Sequence, residues 1–177
     1  MKILQVNKLY YPWIGGVEKI VQHISEGLNG EEEIACSVLS CQPKGKRKIE
    51  EINGVQVFKA SSLGMLMRMP ISFDFFILFR ELSRKSDVIF MHHPFPLGFL
   101  ALLLFAKNKK IVLWYHSDIV KQKFFSFLLT PIHKAVFRKC SVIFVSGQNI
   151  AQNSKLLSEF QDKIEVVPFG FDIKITE

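Results

Sequence analysis

Short apolar runs alternate with longer amphipathic stretches along this chain. Seven runs read as strands: Ile3–Val6, Ile34–Leu39, Val55–Phe58, Asp87–Met91, Ile111–Tyr115, Ser141–Val145 and Ile164–Val167. Between them, Val17–Leu28, Phe73–Ser83, Phe95–Ala106, Ile119–Lys139 and Asn149–Glu159 read as helices. Gly30 is expected to stop the first helix in a left-handed conformation. Pro131 is expected to interrupt the fourth, because proline lacks the donor that a helix interior needs. Asn53-Gly54 is a hairpin signal. Residues 61–70 join apolar side chains to Arg68 with no clear period, and Pro43–Lys48 reads as an exposed basic loop.

Strands that alternate with helices imply βαβ units and a mostly parallel sheet, so the fold class is α/β. Right-handed crossovers then place the ends of all parallel strands on one side. Four polar or glycine-rich segments follow four of these strands: Gly15-Gly16, His92-His93, His116-Ser117-Asp118 and Ser146-Gly147. The pattern predicts that they converge on one rim, where open α/β sheets bind their ligands.

Length and composition narrow the picture. A chain of 177 residues is one domain of ordinary size, and 49% hydrophobic with 22% charged residues is a globular balance. The net charge of +7 and a sequence pI near 9.4 suit nucleic acid, an anionic membrane surface or phosphorylated substrates without choosing among them. Cys36, Cys41 and Cys140 have no zinc-type spacing and fit buried, reduced thiols in a cytoplasmic protein. No apolar run is long enough to span a bilayer, and the N-terminus lacks the apolar core of a signal peptide.

The loop Tyr11-Pro12-Trp13-Ile14-Gly15-Gly16-Val17-Glu18 joins the first strand to the first helix. Adjacent glycines let backbone approach a ligand, and the first turn of the helix offers unpaired N–H groups to an anion such as a diphosphate. An unliganded tight turn fits the same residues. The G-x-G-x-x-G dinucleotide fingerprint and the G-x-x-x-x-G-K-[ST] phosphate loop are both missing, which argues against redox and nucleoside triphosphatase chemistry. His116 can serve a sugar hydroxyl or a phosphate oxygen, or be a satisfied rim histidine. Asp118 can cap the helix after it. His92 and His93 point to opposite sides if their strand continues, so at most one faces the rim, and no third ligand makes a metal site. Residues 120–139 combine phenylalanine and leucine with lysine and arginine. That suits an anionic membrane surface or a helix packed on the sheet, and the Phe-rich Phe73–Phe79 adds weight to the membrane.

Four segments carry a resemblance. Asn7–Pro12 running into Gly15-Gly16-Val17-Glu18 resembles the opening of family four glycosyltransferases, which are retaining enzymes of the GT-B fold. Asp87–Pro94 looks like their mid-domain strand with its histidine turn. Tyr115–Lys123 is similar to the form found in mannosyl- and rhamnosyltransferases, and Ile164–Asp172 to the segment that ends the N-terminal domain.

The resemblance implies a Rossmann-like three-layer domain, one half of a GT-B fold. Residues 1–172 would form the N-terminal, acceptor-side domain and 173–177 the start of a linker to a C-terminal donor-binding domain not present in this sequence. It implies that Gly15, Gly16, His116 and Ser146 meet the donor's diphosphate and sugar, with His116 catalytic. Tyr11, His92, His93 and Asp118 would face the acceptor, and Glu18 would support the glycine loop. The donor would be a nucleotide sugar, GDP-mannose before UDP-sugars, and the acceptor a glycan or lipid-linked glycan of surface polysaccharide synthesis. No metal or other cofactor and no nucleic acid is expected. The location would be cytoplasmic, peripheral on the inner face of the cell membrane. A non-catalytic subunit that recruits a membrane or a catalytic partner is the alternative from a different class.

Overall fold

The computed structural model of the chain describes residues 1–117 and 123–170. In the first half, β1 (Lys2–Val6) leads into α1 (Gly16–Asn29) and β2 (Ala35–Cys41). Next come β3 (Lys48–Ile52), β4 (Val55–Ala60), and the short β5 (Met65–Leu66) and β6 (Met69–Pro70). Then α2 (Asp74–Lys85), β7 (Val88–His93), α3 (Pro96–Phe105) and β8 (Lys110–Tyr115) follow. The last elements are α4 (Lys123–Lys139), β9 (Val142–Val145), α5 (Gln148–Asn153) and β10 (Ile164–Val166).

Eight strands form one sheet in the order β10-β9-β8-β7-β1-β2-β4-β3. Every pairing in it is parallel except that of the edge strand β3 with β4. The carboxyl ends of β1, β2, β4, β7, β8 and β9 therefore share one rim. Alternation along the strands separates two buried layers. Leu4, Val6, Leu39, Met91, Leu113 and Val145 face one side and pack with Phe75, Phe79, Phe99 and Phe137 of α2, α3 and α4. Ile3, Phe90 and Trp114 face the other, beneath Ile24 and Leu28 of α1 and Phe169 of the final segment. Val38, Val55 and Val57 continue that second face under Val21. This is a three-layer, Rossmann-like arrangement.

Several elements depart from the sequence pattern for physical reasons. Lys48–Ile52 is a strand, the first arm of the Asn53-Gly54 hairpin. It is an exposed edge, so lysine and glutamate replace the apolar alternation that would have marked it. Asn53 and Gly54 both take positive φ, 50° and 79°, as a two-residue hairpin turn requires. Residues 65–70 form a second small hairpin, with Met67 and Arg68 at positive φ. Pro131 lies inside α4 without ending it. The packing of Val136 and Phe137 against the core holds that helix where propensity alone would break it. Conversely, α5 stops at Asn153, six residues before the sequence pattern has it end. Leu157 and Phe160 then enter the core from successive turns. Of the Phe-rich stretch, Phe75 and Phe79 are core residues, Phe76 is partly buried and Phe73 is exposed.

Candidate functional site

The glycine loop and α1 come first. Gly15 precedes the helix in an extended conformation (φ −158°, ψ 166°), so the pair is not there for left-handed backbone. The reason is space. A Cβ on Gly15 would come 2.1 Å from Oε2 of Glu18, whose side chain folds back over the loop. Glu18 is buried, and its Oε1 has no hydrogen-bond partner among the described residues. It puts a carboxyl at the positive end of the helix dipole, on the Gly15 side. A Cβ on Gly16 would meet nothing within 4 Å. Gly15 is thus explained by the fold, whereas Gly16 opens onto empty space at the first turn of the helix. That is where an incoming anion can reach unpaired amides.

The loop ahead of the glycines is held from below. Lys59, buried near the carboxyl end of β4, donates from Nζ to the Tyr11 carbonyl and also pairs with Glu50. Lys48 and Lys59 together hold the Glu50 carboxyl below its usual range. Tyr11, Trp13 and Ile14 present their side chains to solvent on the rim.

The histidines are sorted by the extension of β7 through both of them. His92 shares a face with Phe90 and is fully buried. Its Nε2 lies 2.6 Å from Oε1 of Gln5, and its Nδ1 lies 3.0 Å from Nε2 of His116. A carboxamide oxygen only accepts, so His92 donates from Nε2 and accepts at Nδ1 from the Nε2–H of His116. His116 is then left with a lone pair on Nδ1, which has no partner among the described residues. Burial drives the pKa of His92 well below the ordinary value and that of His116 down to about 4, so both rings are neutral at pH 7. Stacking holds the rings in place. His116 lies parallel to Trp114 at 5.8 Å and to Phe169 at 6.0 Å, and Trp114 stacks on Phe90.

His93 points to the opposite layer, as strand alternation requires. It stacks on Tyr115 at 4.3 Å and meets His133 and Phe137 edge-on, inside the core. The structure therefore brings His92 and His116 together on the α1 face of the sheet and places His93 in the opposite layer, so His93 does not stand with them as the resemblance implied. Ser146 is half-buried at the end of β9, on the same rim. Asp118 lies outside the described residues. Among those described, no group of three histidine, cysteine or acidic side chains could hold a metal ion.

Two contributors had no motif to announce them. Gln5 is a buried amide between Leu4 and Val6 of β1, and Lys59 a buried amine near the end of β4. A polar side chain in such a run, next to the rim, was the available signal, because a buried polar group needs a partner.

Comparison with known proteins bears on this geometry. The chain is 30% identical over 173 residues to an O-antigen chain mannosyltransferase C of Escherichia coli, covering 97% of this chain and 46% of that one. It is 28% identical over 173 residues to the D-rhamnosyltransferase WbpZ of Pseudomonas aeruginosa, covering 97% and 45%. The fold matches that of Anabaena Alr3699/HepE, solved with UDP-glucose, with a TM-score of 0.69 at 13% identity over 97% of this chain and 44% of that one. The chain thus spans about half the length of the relatives it matches. The family model of Glycosyltransferase Family 4 matches residues 14–175. With that match over most of its length, the chain belongs to glycosyltransferase family 4 and has the architecture of the N-terminal domain of a GT-B fold.

Proposed function

We propose that this chain is the acceptor-side half of a retaining glycosyltransferase that moves a hexose from a nucleotide sugar to a glycan or lipid-linked glycan in surface polysaccharide synthesis. The observation that carries this reading is the Gln5–His92–His116 chain, which ends in a neutral imidazole on the α1 face of the rim. With its Nε2–H given to His92, the neutral ring can accept a hydrogen bond from a sugar hydroxyl at Nδ1 without adding charge near the reacting carbon. The open Gly16 side of α1 can meet the donor's diphosphate through backbone amides, so the leaving group has hydrogen-bond donors that do not depend on a metal ion. The mannosyl- and rhamnosyltransferase relatives support mannose or a related hexose, and GDP is the carrier we assign to it. The UDP-glucose complex of HepE supports a nucleotide-sugar donor in general.

The test uses the full-length enzyme against a panel of GDP- and UDP-sugars. Gly16→Ala and His116→Ala should each lower kcat/KM on the order of a hundredfold, as expected when a stabilising donor or a positioning contact is removed. The fold should be unchanged, since a Cβ at Gly16 meets no atom. Wild-type rates in both variants would refute the site. The 177-residue chain by itself should turn over no donor.

A further inference from the structure

Five rings on the α1 face form a series: Phe90 and His92 of β7, Trp114 of β8, His116 just beyond it, and Phe169 of the final described segment. No two of them that meet depart from parallel by more than 18°. Strand geometry accounts for four of the five. Side chains two residues apart on a strand share a face, so Phe90 is followed by His92 and Trp114 by His116, and His92 is in register with Trp114. Nothing in that geometry calls for Phe169.

Phe169 reaches the series from outside these two strands. It follows β10, and the backbone ahead of it is tied to β9 by the Val167 N–H, which donates to the Val145 carbonyl at 2.8 Å. Pro168 and Gly170 on either side are exposed, whereas the Phe169 ring is half-buried and lies over Trp114 at 5.4 Å and His116 at 6.0 Å. It is not one of the phenylalanines of the main core, which are closed off between the sheet and α2, α3 and α4.

His116 needs such a neighbour. It stands one residue past the end of β8, and its backbone N–H makes only a long bond of 3.4 Å to the His93 carbonyl. The ring is held by the 3.0 Å hydrogen bond between its Nε2 and Nδ1 of His92. One hydrogen bond fixes one atom and leaves the ring able to pivot about it. Parallel contacts fix the plane, and Trp114 and Phe169 supply them from two different elements. A favourable aromatic contact of this kind changes the ratio of two ring orientations by several-fold to about tenfold.

We propose that, given the role assigned to His116 above, Phe169 is a positioning residue: its ring sets the plane of the His116 imidazole and with it the direction of the Nδ1 lone pair. It acts through His116 and takes no part in proton transfer itself. Leucine at this position keeps an apolar cover on Trp114 but loses the flat face. Tyrosine keeps the face.

Two measurements test this. Nitrogen-15 spectra of the histidine-labelled chain read the ring directly. Phe169→Leu should move the His116 signals toward a mixture of tautomers and leave His93 and His133, in the opposite layer, unchanged, while Phe169→Tyr should keep the pattern of the unmodified chain. In the full-length enzyme, Phe169→Leu should lower kcat on the order of tenfold with KM altered less than about twofold, and Phe169→Tyr should recover the rate. His116 signals that do not respond to leucine overturn the proposal. So do His93 and His133 signals that shift along with them, the mark of a general loosening, and a loss of rate that tyrosine does not recover. An unchanged kcat in Phe169→Leu, where His116→Ala is slow, overturns it as well. Should His116→Ala itself run at the wild-type rate, the assigned site fails instead, and the spectra alone decide whether Phe169 holds the ring.

Discussion

Gln5 lies between the buried Leu4 and Val6 of β1, and its amide decides how the two histidines hold their protons. With its oxygen toward His92, each imidazole carries its hydrogen on Nε2. Nitrogen-15 correlation spectra of histidine-labelled protein should show both rings as that tautomer at pH 7. Gln5→Leu removes the acceptor and leaves a buried N–H unpaired, at a cost of about 1–3 kcal/mol. His92 is then free to take either form, and the His116 signals should move toward a mixture. An Nδ1–H tautomer for His116 in the unmodified chain would mean that the hydrogen bonds run the other way. The site was legible at this scale only in part. His116 and the glycines stood at strand ends, where position alone draws attention. The partnership of residues 5, 92 and 116 is a long-range contact between three strands, which no local pattern contains. His93 was given to the acceptor by the resemblance, although alternation leaves the rim to only one of two adjacent histidines, and the strand runs on past Met91. Two more residues put its ring in the opposite layer.

Helix α3 shows what close packing asks of an element. It is apolar nearly all round and begins with proline at its first position, where the missing N–H costs nothing. Gly98 lets it approach β7. A Cβ there would lie 2.5 Å from Phe95 Cδ1 and 3.1 Å from Met91 Sδ, and both side chains are fully buried. Gly98→Ala should therefore destabilise the protein by about 1–3 kcal/mol despite the better helix propensity of alanine, since the ring has nowhere to move. Chemical denaturation measures this, and an unchanged or raised midpoint would show that the helix can lift without loss. Strands buried on both faces and strongly apolar helices were readable from sequence, because their pattern is dictated by burial. Edge strand β3 and the hairpin of residues 65–70 were not, since both face solvent and keep no alternation. The continuity of α4 through Pro131 was hidden for the opposite reason, as tertiary contacts outweighed a local preference.

At the scale of the whole molecule, the two layers of the sheet bury a set of neutral imidazoles. His92 and His93 are held well below their ordinary pKa by burial, and His116 and His133 are pushed down to about 4. An unfolded histidine titrates near 6.5, so below that pH the unfolded chain binds protons that the folded chain refuses. Stability should be fully present above about pH 6.5 and fall as the pH drops toward 4, with His133 alone contributing on the order of 3 kcal/mol across that window. Urea midpoints at pH 7 and pH 5 check the sign, and a midpoint that rises on acidification would refute it. His133→Phe, in a cluster already built of rings, should flatten the dependence. The arrangement of layers followed from the βαβ rhythm of the sequence, but which histidines lie in which layer is a property of the closed sheet. The chain has two tryptophans, Trp13 in solvent on the glycine loop and Trp114 sandwiched between the sheet and Phe169. With the first replaced by phenylalanine, the remaining indole becomes an intrinsic fluorophore stacked beside His116 and Phe169, so displacement of the Phe169 ring is written directly into its emission.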